Sequence, residues 1–193
     1  MRLACWNAKC AVESLNWSIF STSTVSMFVL NEAFLKPGQV FRLVNYVCYC
    51  TDRLTAWGGT TILVRRSIVH HSVPVPGLAR LEATAIQVTM AGKTAKILAP
   101  YLSPSCPLIG ADLTCFCGGL PDLMAGDLNA THVDWNSRLS TRRGKFLRDY
   151  ADENSCQVFG PDTPTTNSYN PSATPDVLGI VTTKSLSSQV SLT

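Results

Sequence analysis

The chain has 193 residues, enough for one domain with a sizeable core. Hydrophobic residues make up 46% of it, which argues against disorder; charged residues make up only 15%, a low share that points to a missing partner, a missing segment or sequence decay. The formal charge of +3 permits nucleic-acid binding without demanding it. No long apolar core follows Met1, and no window approaches 18 uninterrupted apolar residues. Neither a secretory signal nor a transmembrane helix is therefore expected, and the expected location is intracellular. The eight cysteines do not fit a disulfide-stapled miniature domain in a chain this long. Cys48-x-Cys50 and Cys115-x-Cys117 lack the spacing of zinc knuckles, so buried free thiols are expected.

In chain order, Leu3 to Trp6 reads as a short strand ending at Asn7, and Ala11 to Ser23 as a weak helix. Val25 to Leu30 is a buried strand with Asn31-Glu32 at its end. Pro37-Gly38 marks a turn. Strands are expected over Leu43 to Tyr49, Thr60 to Arg65 and Val69 to Val75. Glu82 to Met90 and Thr94 to Tyr101 flank Ala91-Gly92-Lys93, a hairpin signal. Pro107 to Cys117 is a helix candidate with proline at its start. Leu123 to Ala125 is a strand buried on both faces, leading through Gly126 to Asp127 and Asn129. Ser140 to Ala151 is the best helix, capped by Ser140, with Phe146, Leu147 and Tyr150 on one face. Cys156 to Phe159 and Asp176 to Val181 are strands separated by a polar, proline-punctuated loop, and Val190 to Leu192 begins another. Many strands with few helices point to two packed sheets with helices outside. No internal repeat or domain linker interrupts residues 1–193, so a single domain is expected.

Polar residues recur where apolar runs begin or end: Asn7, Glu32, Tyr101, Asp127 with Asn129, and Asp176. If the strands are neighbours, those tips converge on one rim. Carboxylates and amides there would suit a magnesium ion that takes its other ligands from water and substrate phosphate. The plain alternative is that the asparagines are turn residues, Tyr101 a residue at the core's edge and Asp176 a strand starter. Arg138, Arg142, Arg143, Lys145 and Arg148 form either a phosphate-facing patch or a solvated helix face. His132 reads as a loop residue, and His70 and His71 point to opposite faces of a strand.

These residues stand in a wider pattern. Trp6-Asn7-Ala8, Asn31 to Gly38, Gly58 to Arg65, Tyr101 to Ser105, Gly126 to His132, Trp135 to Arg138 and Pro175 to Leu178 together resemble the endonuclease domain of jockey-type non-LTR retrotransposons. Those domains belong to the endonuclease/exonuclease/phosphatase superfamily, with DNase I and the apurinic/apyrimidinic endonucleases. The resemblance runs in order over nearly the whole chain. It implies a four-layered α/β sandwich of two mainly antiparallel sheets flanked by helices. It also implies an enzyme dependent on Mg2+ or Mn2+ that nicks chromosomal DNA in the nucleus and leaves a 3′ hydroxyl to prime reverse transcription. Carried over by motif, Glu32 is the metal ligand and Asn7 supports the metal shell. Asp127 activates or orients the attacking water, Asn129 helps hold it or the phosphate, and Tyr101 contacts the scissile phosphate. Asp176 orients the histidine of a following Ser-Asp-His motif. Arg138, Arg142 and Arg143 are the expected DNA contacts, and a reverse transcriptase domain is expected in the full reading frame.

Two departures qualify the expectation. Lys9 stands where the family has Asn or Asp, and no Ser-Asp-His motif occurs before Thr193. A truncated C-terminal strand and weak or absent cleavage are therefore expected. The alternatives are a catalytically inactive nucleic-acid-binding remnant and a phosphatase of the same superfamily.

Overall fold

Apolar runs of four to nine residues are too short to make stable helices, and β-branched residues among them favour a pleated surface. The computed structural model describes residues 2–7, 25–33, 42–51, 59–75, 77–90, 92–116, 122–165 and 174–184. Within them these runs become β1 (Leu3–Asn7), β2 (Met27–Asn31), β3 (Tyr46–Thr51), β4 (Thr60–Arg65), β5 (Val69–Ser72), β6 (Glu82–Met90), β7 (Lys93–Tyr101), β8 (Asp122–Asp127), β9 (Cys156–Phe159) and β10 (Gly179–Lys184). The helices are α1 (Gly110–Phe116) and α2 (Arg142–Glu153), with a 3-10 turn over Val133–Trp135.

The strands form two sheets, ordered β1-β2-β4-β3 and β5-β6-β7-β8-β10-β9. Only β1 with β2 and β7 with β8 pair in parallel; the remaining pairs are antiparallel. Alternation along each strand builds the layers. Met27 and Val29 of β2, with Ile62 and Val64 of β4, meet Ile86, Ile97, Leu123, Ala125 and Val181 between the sheets. Phe28, Leu30 and Leu63 point the other way, onto Tyr46. On the far side of the larger sheet, Leu98, Met124 and Ile180 pack against Leu113 of α1 and Leu147 of α2. The result is an α/β sandwich, as the resemblance implies.

Several boundaries differ from the sequence expectation. β3 starts at Tyr46, because Asn45 takes a left-handed conformation (φ 67°) and turns the chain. β5 ends at Ser72, α1 begins at Gly110 and β10 begins at Gly179. Thr141, not Ser140, caps α2: its hydroxyl accepts the Gly144 N–H at 3.2 Å, while the Ser140 hydroxyl accepts from Val133. Gly144, Leu147 and Ala151 form the buried face of α2, and Phe146 stays 39% exposed. Cys50 and Cys115 are exposed rather than buried. The helix expected over Ala11 to Ser23 and the strand expected over Val190 to Leu192 lie outside the described residues.

Candidate active site at one rim of the sandwich

The parallel pairs place the C-terminal ends of β1, β2, β7 and β8 on one rim. Asn7 and Asn31 are register partners at the ends of β1 and β2, and Tyr101 and Asp127 are partners at the ends of β7 and β8. The antiparallel pairing of β6 with β7 sets Glu82 beside Tyr101. Strand direction therefore decides which polar residues meet, and it brings together residues more than a hundred positions apart.

Asp127 is the best-anchored group. It is 2% exposed; the Asn7 amide donates to its Oδ2 at 3.0 Å and the Asn129 N–H to its Oδ1 at 2.8 Å. Asn129 does not continue the strand. Its φ is 47°, so the chain turns immediately after β8, and its side chain reaches away to the Leu102 carbonyl at 2.8 Å. The Asp127 carbonyl in turn accepts from the Leu102 N–H. Asn129 thus braces the loop beyond Tyr101 while its backbone orients the carboxylate.

Glu32 sits at the tip of β2, 8% exposed, with φ at 52°. A left-handed conformation disfavours a residue with a side chain, and it persists only where the surroundings hold it. The Tyr101 phenol lies close enough to this carboxylate to feel its charge. Burial, then Glu32, Asp127 and Glu82, hold the Tyr101 phenol well above its usual range, so it stays a neutral donor. One phenol thus reports three carboxylates around it. Glu82 was not singled out in the sequence, where it opens an ordinary alternating strand; its other contact is with the Gly59 N–H at 3.2 Å.

A further element has no sequence signal of its own. The Asn31 amide donates to the Pro100 carbonyl at 2.7 Å in a buried position, and the Cys5 thiol contacts Asn31 Oδ1 at 3.8 Å. Pro100 interrupts a central strand, where proline is ordinarily excluded. Gly126 makes room: a Cβ there would lie 2.1 Å from the Pro100 carbonyl oxygen. Asn31, Pro100 and Gly126 therefore lock the two sheets together one residue before Glu32, Tyr101 and Asp127. Cys5 lies close enough that burial and the Asp127 charge push its thiol up to about 12.

Asp176 braces the segment beside it. Its Oδ1 accepts from the Arg138 N–H at 2.9 Å and the Val177 N–H at 2.8 Å, and Ser137 donates to the Val177 carbonyl. That arrangement ties the 133–141 segment to the entry of β10. Arg138 meets Asp176 through its backbone, and its side chain is exposed. Arg142 is exposed, and Arg143 donates to the Pro104 carbonyl, on the loop that follows Tyr101. Arg148 is engaged by Asp134 at 2.8 Å, with Asp149 and Asp152 nearby, so it belongs to a helix-surface ion network. His132 Nδ1 accepts the Asp134 N–H and its ring packs on Trp135, which caps a structural turn.

An all-oxygen donor set of Glu32 and Asp127, with the Asn7 amide beside them, fits magnesium, which needs few protein ligands and keeps water and substrate oxygens. Among the described residues no group of three or more His, Cys, Asp and Glu side chains is arranged to enclose a metal. The fit is thus to an open site and not to a closed protein cage.

The two-sheet sandwich with carboxylates converging at one rim is the architecture of the endonuclease/exonuclease/phosphatase fold. It superposes on the endonuclease domain of TRAS1, a telomere-specific non-LTR retrotransposon, with a TM-score of 0.73, 16% identity and coverage of 95% of this chain and 84% of that one. A family model described as endonuclease-reverse transcriptase matches residues 96–192, half of the chain, and the protein belongs to that family. It is similar to the RNA-directed DNA polymerase of the mobile element jockey from Drosophila funebris, at 27% identity over 82% of this chain and 18% of that protein. The Drosophila melanogaster counterpart is 25% identical over 92% of this chain and 20% of its own length. The chain thus spans about a fifth of these relatives.

Proposed function

We propose that this domain is a metal-dependent DNA endonuclease of a non-LTR retroelement that nicks target DNA to supply a 3′ hydroxyl for reverse transcription. The observation that carries the proposal is the register that ends β1, β2, β7 and β8 on one rim, with Tyr101 beside Asp127, Asn7 bonded to Asp127 and Glu32 one residue past β2. Glu32 and Asn7 would hold Mg2+ or Mn2+, which when bound neutralises charge on a phosphodiester. Asp127, fixed by two N–H donors, would orient the attacking water and take its proton. Tyr101, kept neutral, donates a hydrogen bond to a non-bridging phosphate oxygen. Asn129 acts by positioning Asp127 and the 102–105 loop. Arg143, beside Pro104, and Arg142 would meet the flanking DNA backbone. Asp176 positions the Arg138 loop, and a role orienting a histidine from further along the reading frame is compatible with its place at the entry of β10. The fraction of the jockey proteins covered supports a polymerase elsewhere in the same reading frame, and work on chromosomal DNA implies a nuclear location. No helix among the described residues is long and apolar enough to cross a membrane.

The test is nicking of supercoiled plasmid with and without Mg2+. We expect slow nicking that stops with chelator, and Glu32→Ala and Asp127→Ala to lower it by roughly a hundred- to thousandfold, the usual effect of losing one preorganised transition-state contact. Duplex binding without any nicking, in the parent chain as in the variants, would instead mark a non-catalytic DNA-binding domain. Equal nicking by parent and variants would remove Glu32 and Asp127 from the site.

A further inference from the structure

The rim opposite the candidate site has a composition of its own. It is formed by the starts of β1, β2 and β3 and the end of β4 in the smaller sheet. In the larger sheet it is formed by the ends of β6 and β10 and the starts of β5, β7, β8 and β9. Arg2 precedes β1, Arg42 precedes β3, Arg65 and Arg66 close β4, Lys93 opens β7 and Lys184 closes β10. Among the described residues, the acids here are Asp122 at the start of β8 and Asp152 and Glu153 just before β9, all on the larger sheet; none stands at the smaller sheet's strand ends. Among the described residues, the smaller sheet's strand ends on this rim thus carry four arginines, Arg2, Arg42, Arg65 and Arg66, and no acid.

The arginines there are held in place. The Arg65 guanidinium lies 5.8 Å from the Tyr46 ring centroid and donates to the Tyr46 hydroxyl, which itself donates to the Val25 carbonyl at 2.6 Å. The Arg66 N–H bonds the Asn45 carbonyl at 2.9 Å, fastening the β4 exit to the turn before β3. Arg42 and Arg66 are exposed, and Val44, in the turn that Arg66 fastens, is 79% exposed. Across β1-β2-β4-β3 the cations span three strand spacings, about 14 Å. Such a row suits a linear polyanion, and guanidinium groups pair with phosphates by paired hydrogen bonds.

We propose that this rim is a second nucleic-acid-binding face, which grips the phosphodiester backbone of a single strand while the opposite rim faces the DNA to be cut. Choosing a nucleic acid over other polyanions rests on the endonuclease reading. The binding test below does not use cleavage, so either idea can fail alone.

The probe is an unstructured 20-nucleotide RNA, with DNA of the same sequence as a second arm, titrated against the whole chain over a range of salt. Arg42→Glu with Arg66→Glu should weaken strand binding at least tenfold. It should also lower the salt slope by about 1.4, since each phosphate contact on a single strand contributes about 0.7. Arg42→Lys with Arg66→Lys should keep most of the binding, which separates charge from folding. Arg148→Ala, in the ion network on the surface of α2, should leave it nearly unchanged. Equal affinity and slope in the charge-reversed variant would overturn the proposal. So would an equal loss in the Arg148→Ala variant, or binding to vesicles of one part phosphatidylserine to three parts phosphatidylcholine in place of the strand.

Discussion

At the scale of single residues, the site depends on groups that do no chemistry. Asn31→Leu would leave the buried Pro100 carbonyl without its donor, and we expect a loss of about 1–3 kcal/mol in chemical denaturation. Gly126→Ala should cost at least as much, because its Cβ would meet backbone at 2.1 Å and not the flexible end of a side chain. Thiol reactivity offers a check that does not require activity. At pH 8 an alkylating reagent should modify Cys50 and Cys115 first among the described cysteines. Cys5, with its thiol pushed up to about 12 by burial and by Asp127, should react only on unfolding. Rapid labelling of Cys5 in the folded chain would contradict the geometry around Asp127. Tyr101 carries a pH signature too. Its folded phenol is raised above the ordinary value near 10. Above that pH the unfolded chain releases this proton while the folded chain keeps it, so stability is intact below about pH 10 and falls as pH rises beyond it. Tyr101→Phe should flatten that alkaline decline.

At the scale of elements, α2 has two jobs. It covers the larger sheet through Leu147 and Ala151, and it holds Arg142 and Arg143 on its first turn. The helix can approach so closely because Gly144 lies against the Thr131 carbonyl, where a Cβ would sit at 1.8 Å. Thr141 joins the two roles: its N–H bonds the Thr131 carbonyl and its hydroxyl caps the helix. Thr141→Ala should cost about 1 kcal/mol in thermal or denaturant unfolding, while Ser140→Ala should cost less, since Ser140 serves one exposed N–H. Equal costs would return the cap to Ser140. Asp112 works similarly for α1. Buried at 2% exposure, it accepts the N–H groups of Ala79, Arg80 and Leu81 and so fastens the loop before β6, which leads to Glu82.

At the scale of the whole molecule, parallel pairing at β1-β2 and β7-β8 sends four strand C-termini to one rim, and the remaining pairing sends basic strand ends to the other. Binding of duplex DNA at the first rim should depend on salt. Arg142→Ala with Arg143→Ala should weaken binding to duplexes of any sequence and reduce the salt slope by about 1.8, since each duplex phosphate contact contributes about 0.9. An unchanged slope would place both arginines on a solvated helix face.

Most strands were legible because each is a short apolar run bounded by glycine, proline or polar residues, and local pattern is enough to specify that. β4 and β9 match their expected limits, and the ordered motifs at strand ends identified the fold and family. Strand boundaries at Tyr46 and Gly179 were not legible, since a left-handed asparagine and a capping aspartate terminate pairing without changing hydrophobicity. Nor was the company that each carboxylate keeps. Glu32 and Asp127 stand out as strand tips in the sequence. That Glu82 joins them near Tyr101, that Asp176 caps a loop, and that Asn129 turns away to Leu102 follow from sheet order and register. Those are set by packing between residues distant in the chain, where direction of pairing decides which ends meet. Periodicity tells a strand from a helix, but it carries no information about its neighbour.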